Sequence, residues 1–141
     1  NGIKYKFDTC RIMFAPGNGT ERIRISKVKC NPKEIVIDMF AGLGYFTTPL
    51  AVNNKDVGIK VISIEKNKDS FFYLQQNLVL NDVHGVVTAI CGDNRKEGNE
   101  WVGKASRILM GYLPDTEPFI ARAFEFASPK GCIMHYHYLC G

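Results

Sequence analysis

The chain has 141 residues, 45% hydrophobic and 23% charged, which is enough to bury a core of its own. No apolar run reaches the roughly 18 to 20 residues of a membrane span, and Asn1-Gly2-Ile3-Lys4 lacks the pattern of a signal peptide. The sequence therefore reads as soluble and cytoplasmic, with no membrane partner. A net charge of +4 gives a weak lean toward RNA, short of the asymmetry of a dedicated nucleic-acid arm. The five cysteines are odd in number and never form a C-x-x-C pair, so they suggest neither a disulfide framework nor a zinc site.

In chain order, Ile3 to Phe7 and Arg11 to Phe14 are short apolar and aromatic runs around Asp8-Thr9 and read as a hairpin or edge element. Pro16-Gly17-Asn18-Gly19 is a turn. Asn18 with Glu21 three residues on has the spacing of a helix start, and the helix is predicted to run to about Lys29 before Asn31-Pro32. Residues 1–30 form a lead-in, and residues 31–141 a single α/β domain. From Glu34 onward, short apolar runs alternate with segments of helical period, the pattern of a parallel sheet flanked by helices. Strands are predicted at Ile35 to Asp38, Lys60 to Glu65, Val86 to Cys91, Arg107 to Met110 and Cys132 to Tyr138. Helices are predicted at Asp69 to Leu80, capped by Asn67 with Phe71, Leu74 and Leu78 on one face, and at Glu117 to Ala127. The apolar face of the second is Phe119, Ile120, Ala123, Phe124 and Ala127, while residues 92–105 are either a short helix or a loop. Five strands with crossovers make a doubly wound, mostly parallel sheet, whose ligands bind outside the carboxyl ends of the strands.

The candidate site residues follow those ends. After the first strand, Asp38-Met39-Phe40-Ala41-Gly42-Leu43-Gly44 carries two glycines that let the backbone turn sharply before a helix opens. Glu65, at the end of the second strand, is 21 residues beyond Gly44, the separation expected of a carboxylate that accepts from ribose hydroxyls. Thr47 stands where a pyrophosphate fingerprint wants glycine or alanine, so a nucleoside fits better than a dinucleotide. The bland alternative is that Gly42 and Gly44 only form a tight turn. Asp93 and Asn94 after the third strand are suited to reading the amino edge of adenine, though Asp93 is equally a candidate helix cap. Tyr112, after the fourth strand, either stacks on a substrate base or covers the core. His135 and His137 face one way along the last strand, and with no third ligand at metal spacing they are read as hydrogen-bonded structural groups, so no metal is assigned.

Taken together, Asp38-Met39-Phe40-Ala41-Gly42 through Phe46, Gly92-Asp93-Asn94-Arg95, Met110-Gly111-Tyr112 and His135-Tyr136-His137 resemble the tRNA wybutosine-synthesizing protein 2 family over nearly the whole chain. The related tRNA guanine-N1 methyltransferases typically carry Asn-Leu-Pro where this chain reads Met-Gly-Tyr-Leu-Pro. The resemblance implies a Rossmann-like class I S-adenosylmethionine-dependent methyltransferase fold. It also implies transfer of the 3-amino-3-carboxypropyl group from S-adenosylmethionine to a 4-demethylwyosine-type guanosine 3′ of the anticodon of tRNA(Phe). The cofactor would be held by Asp38, Phe40, Gly42, Gly44, Glu65, Asp93 and Asn94, with Tyr112 toward the substrate. By the same resemblance, the stretch Met13 to Arg22 lies against the cofactor's amino-acid end, with Arg22 as its basic residue and Ala15 where the family usually has Ser. No catalytic residue is assigned, because a sulfonium is already activated. The family has an amino-terminal tRNA-binding region and further closing strands, so the chain is expected to be a fragment truncated at both ends. Alternatives are a guanine-N1 methyltransferase on the same scaffold, or a cofactor-binding fragment without catalysis.

Overall fold

The computed structural model describes residues 24–111 and 117–136. The expected hairpin, the Pro16 to Gly19 turn and the start of the first helix lie outside these residues, as do Ala15, Arg22, Tyr112 and His137. Residues 24–26 are helical, and that helix ends three residues earlier than the sequence pattern suggests. Its Ile25 is 1% exposed, packed in one cluster with Leu50 and Leu109.

Strands β1 (Ile35–Asp38), β2 (Lys60–Glu65), β3 (Val87–Cys91), β4 (Arg107–Met110) and β5 (Ile133–Tyr136) form one sheet in the order β3-β2-β1-β4-β5. Every pairing is parallel, with Asp38 level with Ser63 on one side and Leu109 on the other. Three strands coincide with their predicted ranges; β3 starts one residue later, and β5 is shorter within the described residues. The apolar runs identify these strands because a parallel sheet buries both faces and its strands need no polar alternation. The order reverses between β1 and β4, which places the switch point there.

Helix α1 (Thr47–Asn54) follows the glycine turn, with Pro49 in its first turn, where no intrahelical N–H is needed. Asn54 closes it: its Nδ2 donates to the carbonyls of Leu50 and Val28, and its Oδ1 accepts from the Cys30 amide at 2.8 Å. Helix α2 (Lys68–Leu80) is capped by Asn67, whose side chain accepts from the Ser70 amide at 3.0 Å. Leu74 and Leu78 are buried with Phe71 packed beside them, so the predicted face is the one the helix uses. Both helices cover one side of the sheet. Helix α3 (Glu117–Phe126) covers the other with Ala123 and Phe126 against Ile37, Ile62, Ile64 and Ile108.

One part of the α3 face differs from expectation: Phe124 is 66% exposed, while Phe126 and Arg122 are buried. The i, i+1, i+4, i+5 pattern fits two neighbouring faces of the helix, and the sheet takes the one running through positions 119, 122, 123 and 126. Of residues 92–105, all are loop except a single 3₁₀ turn at Asn99–Trp101 and Ala105, which makes an isolated parallel bridge to Ala127.

Candidate active site

The segment after β1 turns over the sheet because its backbone is hydrogen-bonded on both sides of the switch point. The Met39 amide donates to the Leu109 carbonyl and the Ala41 amide to the Ile64 carbonyl. Gly42 (φ 58°) and Gly44 (φ 98°) both sit in the left-handed region, where a side chain would be strained. A Cβ on Gly44 would also come 2.6 Å from Thr48 Oγ1. The glycine pattern read from the sequence is thus a backbone requirement at both positions.

Glu65 completes this turn. Its Oε1 accepts from the Gly42 amide at 2.8 Å and its Oε2 from the Asn67 amide at 2.8 Å, so one carboxylate ties the glycine turn to the start of α2. Each oxygen keeps a second acceptor position for a ligand hydroxyl. Asp38 is fully buried: its Oδ2 accepts from Thr47 Oγ1 at 2.6 Å and its Oδ1 from the Phe40 amide. Because the single Thr47 proton goes to Asp38, the Ser63 hydroxyl donates to Thr47. Burial pushes the Asp38 carboxyl up to about 6 even with these donors. The carboxylate therefore organises the turn from beneath.

A cavity of about 210 Å³ opens at the carboxyl ends of β1, β2 and β3, lined by Met39, Phe40, Glu65, Lys66, Gly92, Asp93, Asn94, Arg95 and Phe119. It is smaller than the pockets that enclose a drug-sized ligand and suits the base and sugar of a nucleoside. Its walls are aromatic on one side, with Phe40 and Phe119 edge to face at 5.0 Å. Asp93 is half-buried, and no helix begins there. Its carboxylate accepts from the Arg95 amide and from Arg95 Nε and Nη2, the last at 2.7 Å. That guanidinium holds the Asp93 carboxyl down at about 2, and also lies 5.0 Å over the Phe119 ring. Asn94 is 4% exposed; its Nδ2 donates to the Met39 carbonyl at 2.7 Å, while its Oδ1 is buried with no donor among the described residues.

Of the candidate residues that are described, Phe40, Glu65, Asp93 and Asn94 line this one cavity, with Gly42 bonded to its rim. Asp38 and Gly44 shape the turn behind it. The sequence reading assigns neither Arg95 nor Phe119 to the site: Arg95 enters only as part of the Gly92-Asp93-Asn94-Arg95 segment, and Phe119 falls on the apolar stripe of α3. Gly111 was also missed as a close contact: a Cβ there would overlap the Phe46 ring.

At the opposite end of the sheet, Glu34 and Arg107 form a buried ion pair at 2.8 Å. Arg107 Nη1 also lies 2.8 Å from His135 Nε2. Arginine has only donors, so that nitrogen accepts and His135 is part of the scaffold. Burial raises the thiols of Cys30, to about 11, and Cys132. Among the described residues no group of three or more His, Cys, Asp or Glu could hold a metal ion, and no helix is long and apolar enough to cross a membrane.

Comparison with known proteins agrees with this geometry. The TRM5/TYW2 methyltransferase domain matches residues 1–140. The tRNA(Phe) (4-demethylwyosine(37)-C(7)) aminocarboxypropyltransferase of Pyrococcus horikoshii is 47% identical over 97% of this chain and 47% of its own length. The crystal structure of P. horikoshii TYW2 in complex with MeSAdo superposes with a TM-score of 0.87 at 46% identity, covering 98% of this chain and 50% of that one. That of M. jannaschii TYW2 in complex with AdoMet gives 0.85 at 40% identity, covering 95% and 58%. The chain thus spans about half the length of the relatives it matches. Its doubly wound sheet is the Rossmann-like fold of S-adenosylmethionine-dependent methyltransferases, and the chain belongs to the TRM5/TYW2 methyltransferase domain family.

Proposed function

We propose that this chain binds S-adenosylmethionine in the cavity at the ends of β1, β2 and β3. We propose further that the protein containing it transfers the 3-amino-3-carboxypropyl group to a 4-demethylwyosine-type guanosine 3′ of the anticodon of tRNA(Phe). The observation that carries the first step is Asn94 Oδ1, a buried acceptor with no donor among the described residues, beside an aromatic wall. An exocyclic amine of adenine supplies the missing donor, and an unsatisfied buried acceptor otherwise costs about 1 to 3 kcal/mol. Glu65, already fixed by two backbone amides, presents its remaining lone pairs to the ribose hydroxyls. The division into a lead-in over residues 1–30 and a cofactor domain over residues 31–141 belongs to the same proposal, with Ala15 and Arg22 toward the amino-acid end and Tyr112 toward the base to be modified.

When bound, S-adenosylmethionine supplies a sulfonium whose carbons are already activated and which leaves as a neutral thioether. The protein's part is then position more than acid or base work, and alignment of reacting atoms is worth roughly 7 to 11 kcal/mol. Residues that fix the base and ribose determine which carbon faces the guanosine. The identity to the Pyrococcus aminocarboxypropyltransferase supports the longer group over methyl.

The test uses the full-length protein, tRNA(Phe) carrying the precursor base, and cofactor labelled separately in the carboxyl and the methyl carbon. Carboxyl label should enter the tRNA while methyl label stays with the released thioether. Methyl label in the tRNA would make the protein a methyltransferase, and label in neither would leave a binding module.

A further inference from the structure

We infer that Arg122 is a positioning residue for the base end of the cofactor, holding the loop after β3 so that Asn94 presents its acceptor to adenine; this rests on the adenine reading above. Arg122 is 6% exposed on the sheet side of α3. Its guanidinium makes four hydrogen bonds: Nε to the Asn94 carbonyl at 2.8 Å, Nη2 to the Glu97 carbonyl at 3.1 Å and to Asn99 Oδ1 at 2.5 Å, and Nη1 to Glu125 at 3.1 Å. Three of the four acceptors lie within residues 94–99, the stretch that begins at the cavity floor. The flat group rests on the Phe126 ring at 4.4 Å.

The energetics argue that this arginine serves the loop and not the helix. Burying a cation costs several kcal/mol before its partners offset it, and a hydrophobe of similar volume in the same slot is often as stable or more so. Position 122 lies between Phe119, Ala123 and Phe126, where methionine or leucine would continue the apolar stripe. Glu125, its only carboxylate partner among the described residues, has a side chain that is 58% exposed and offers little compensation. What a hydrophobe could not do is bind three oxygens of a loop that has no sheet or long helix to hold it.

The consequence falls on Asn94. Its carbonyl is held by Arg122 and its side-chain Nδ2 by the Met39 carbonyl, which leaves Oδ1 without a donor among the described residues and available to an amine of the base. An oxygen acceptor favours the amine of adenine and repels the carbonyl that hypoxanthine has at the same place, so discrimination depends on how firmly Asn94 is fixed.

The experiment compares the affinities of methylthioadenosine and methylthioinosine, well below the melting temperature, for the protein and for Arg122→Lys, Arg122→Met and Glu34→Gln. The last breaks the buried pair at the far end of the sheet and reports on stability loss alone. The unaltered protein should prefer the adenine ligand by roughly tenfold, the worth of one hydrogen bond to a polar group. Arg122→Met should lose most of that ratio and Arg122→Lys part of it, while Glu34→Gln keeps it. In the unliganded protein, amide hydrogen exchange at Arg95, Lys96 and Glu97 should accelerate in the Arg122 variants relative to the amides of β1 and β2. A full adenine preference retained in Arg122→Met, with unchanged exchange in the loop, would overturn the inference. No preference in the unaltered protein would instead overturn the adenine reading on which it rests.

Discussion

Glu65 accepts from the Gly42 and Asn67 amides, and in the proposed site it would also accept from a ligand through its remaining lone pairs. Glu65→Gln keeps one oxygen acceptor but removes the charge, so cofactor affinity should fall by about 1.5 to 3 kcal/mol, the range for hydrogen bonds to a charged group. Calorimetry alongside a thermal melt separates this from unfolding: an unchanged affinity with a collapsed melting temperature would make Glu65 purely structural. Asp38 gives a different signature because its carboxyl lies near 6 in the fold against an ordinary 3.8. Below about pH 3 it is protonated whether the chain is folded or not. Between about pH 3 and 6 the unfolded chain ionises while the fold still holds the proton, so stability declines as pH rises and levels off above the folded value. Relative to Asp38→Asn, the unaltered protein should lose about 3 kcal/mol between pH 3 and 7, from a shift of about two units at roughly 1.36 kcal/mol each. Urea midpoints at both pH values measure this, and parallel profiles for the two proteins would contradict it.

The junction of β4 with the start of α1 depends on a glycine that the sequence presents without any warning. Gly111 has no unusual backbone angle; it is small because the Phe46 ring lies where its Cβ would be. Gly111→Ala should therefore cost about 1 to 3 kcal/mol, as overpacked cores do, seen as a lower urea midpoint with an unchanged slope. Retained stability would mean that the ring swings aside freely. That contact was invisible from the chain alone because it joins residues 65 positions apart, whereas β1, β2 and β4 could be read directly from their unbroken apolar runs. Glu65 could be found because its distance from the glycines is set by one βαβ unit. Arg122 could not, since a charged residue within an apolar helical stripe looks like a solvated neighbour until the fold shows what it binds. Phe124 was drawn into the predicted core for the converse reason, an aromatic residue one helical step from the buried face.

Viewed as a whole, the molecule separates its tasks between the two ends of one sheet. At the amino ends Glu34 and Arg107 form a buried pair beside the shielded thiols, and Arg107 reaches His135 of β5, so β4 is tied to both neighbours. The carboxyl ends carry the glycine turn, two fixed carboxylates and an amide with an open acceptor. A doubly wound sheet allows this because every strand points the same way, so each βα connection delivers its residues to the same crevice. The central claim is that this crevice takes a nucleoside with a thioether or sulfonium tail and not a dinucleotide. Isothermal titration of the folded protein with S-adenosylmethionine, methylthioadenosine and NAD tests it most directly. The account requires saturable binding of the first two at one site, lost together in Glu65→Ala, and much weaker binding of NAD. No heat from the adenosyl ligands at millimolar concentration, or tighter binding of NAD, would contradict it.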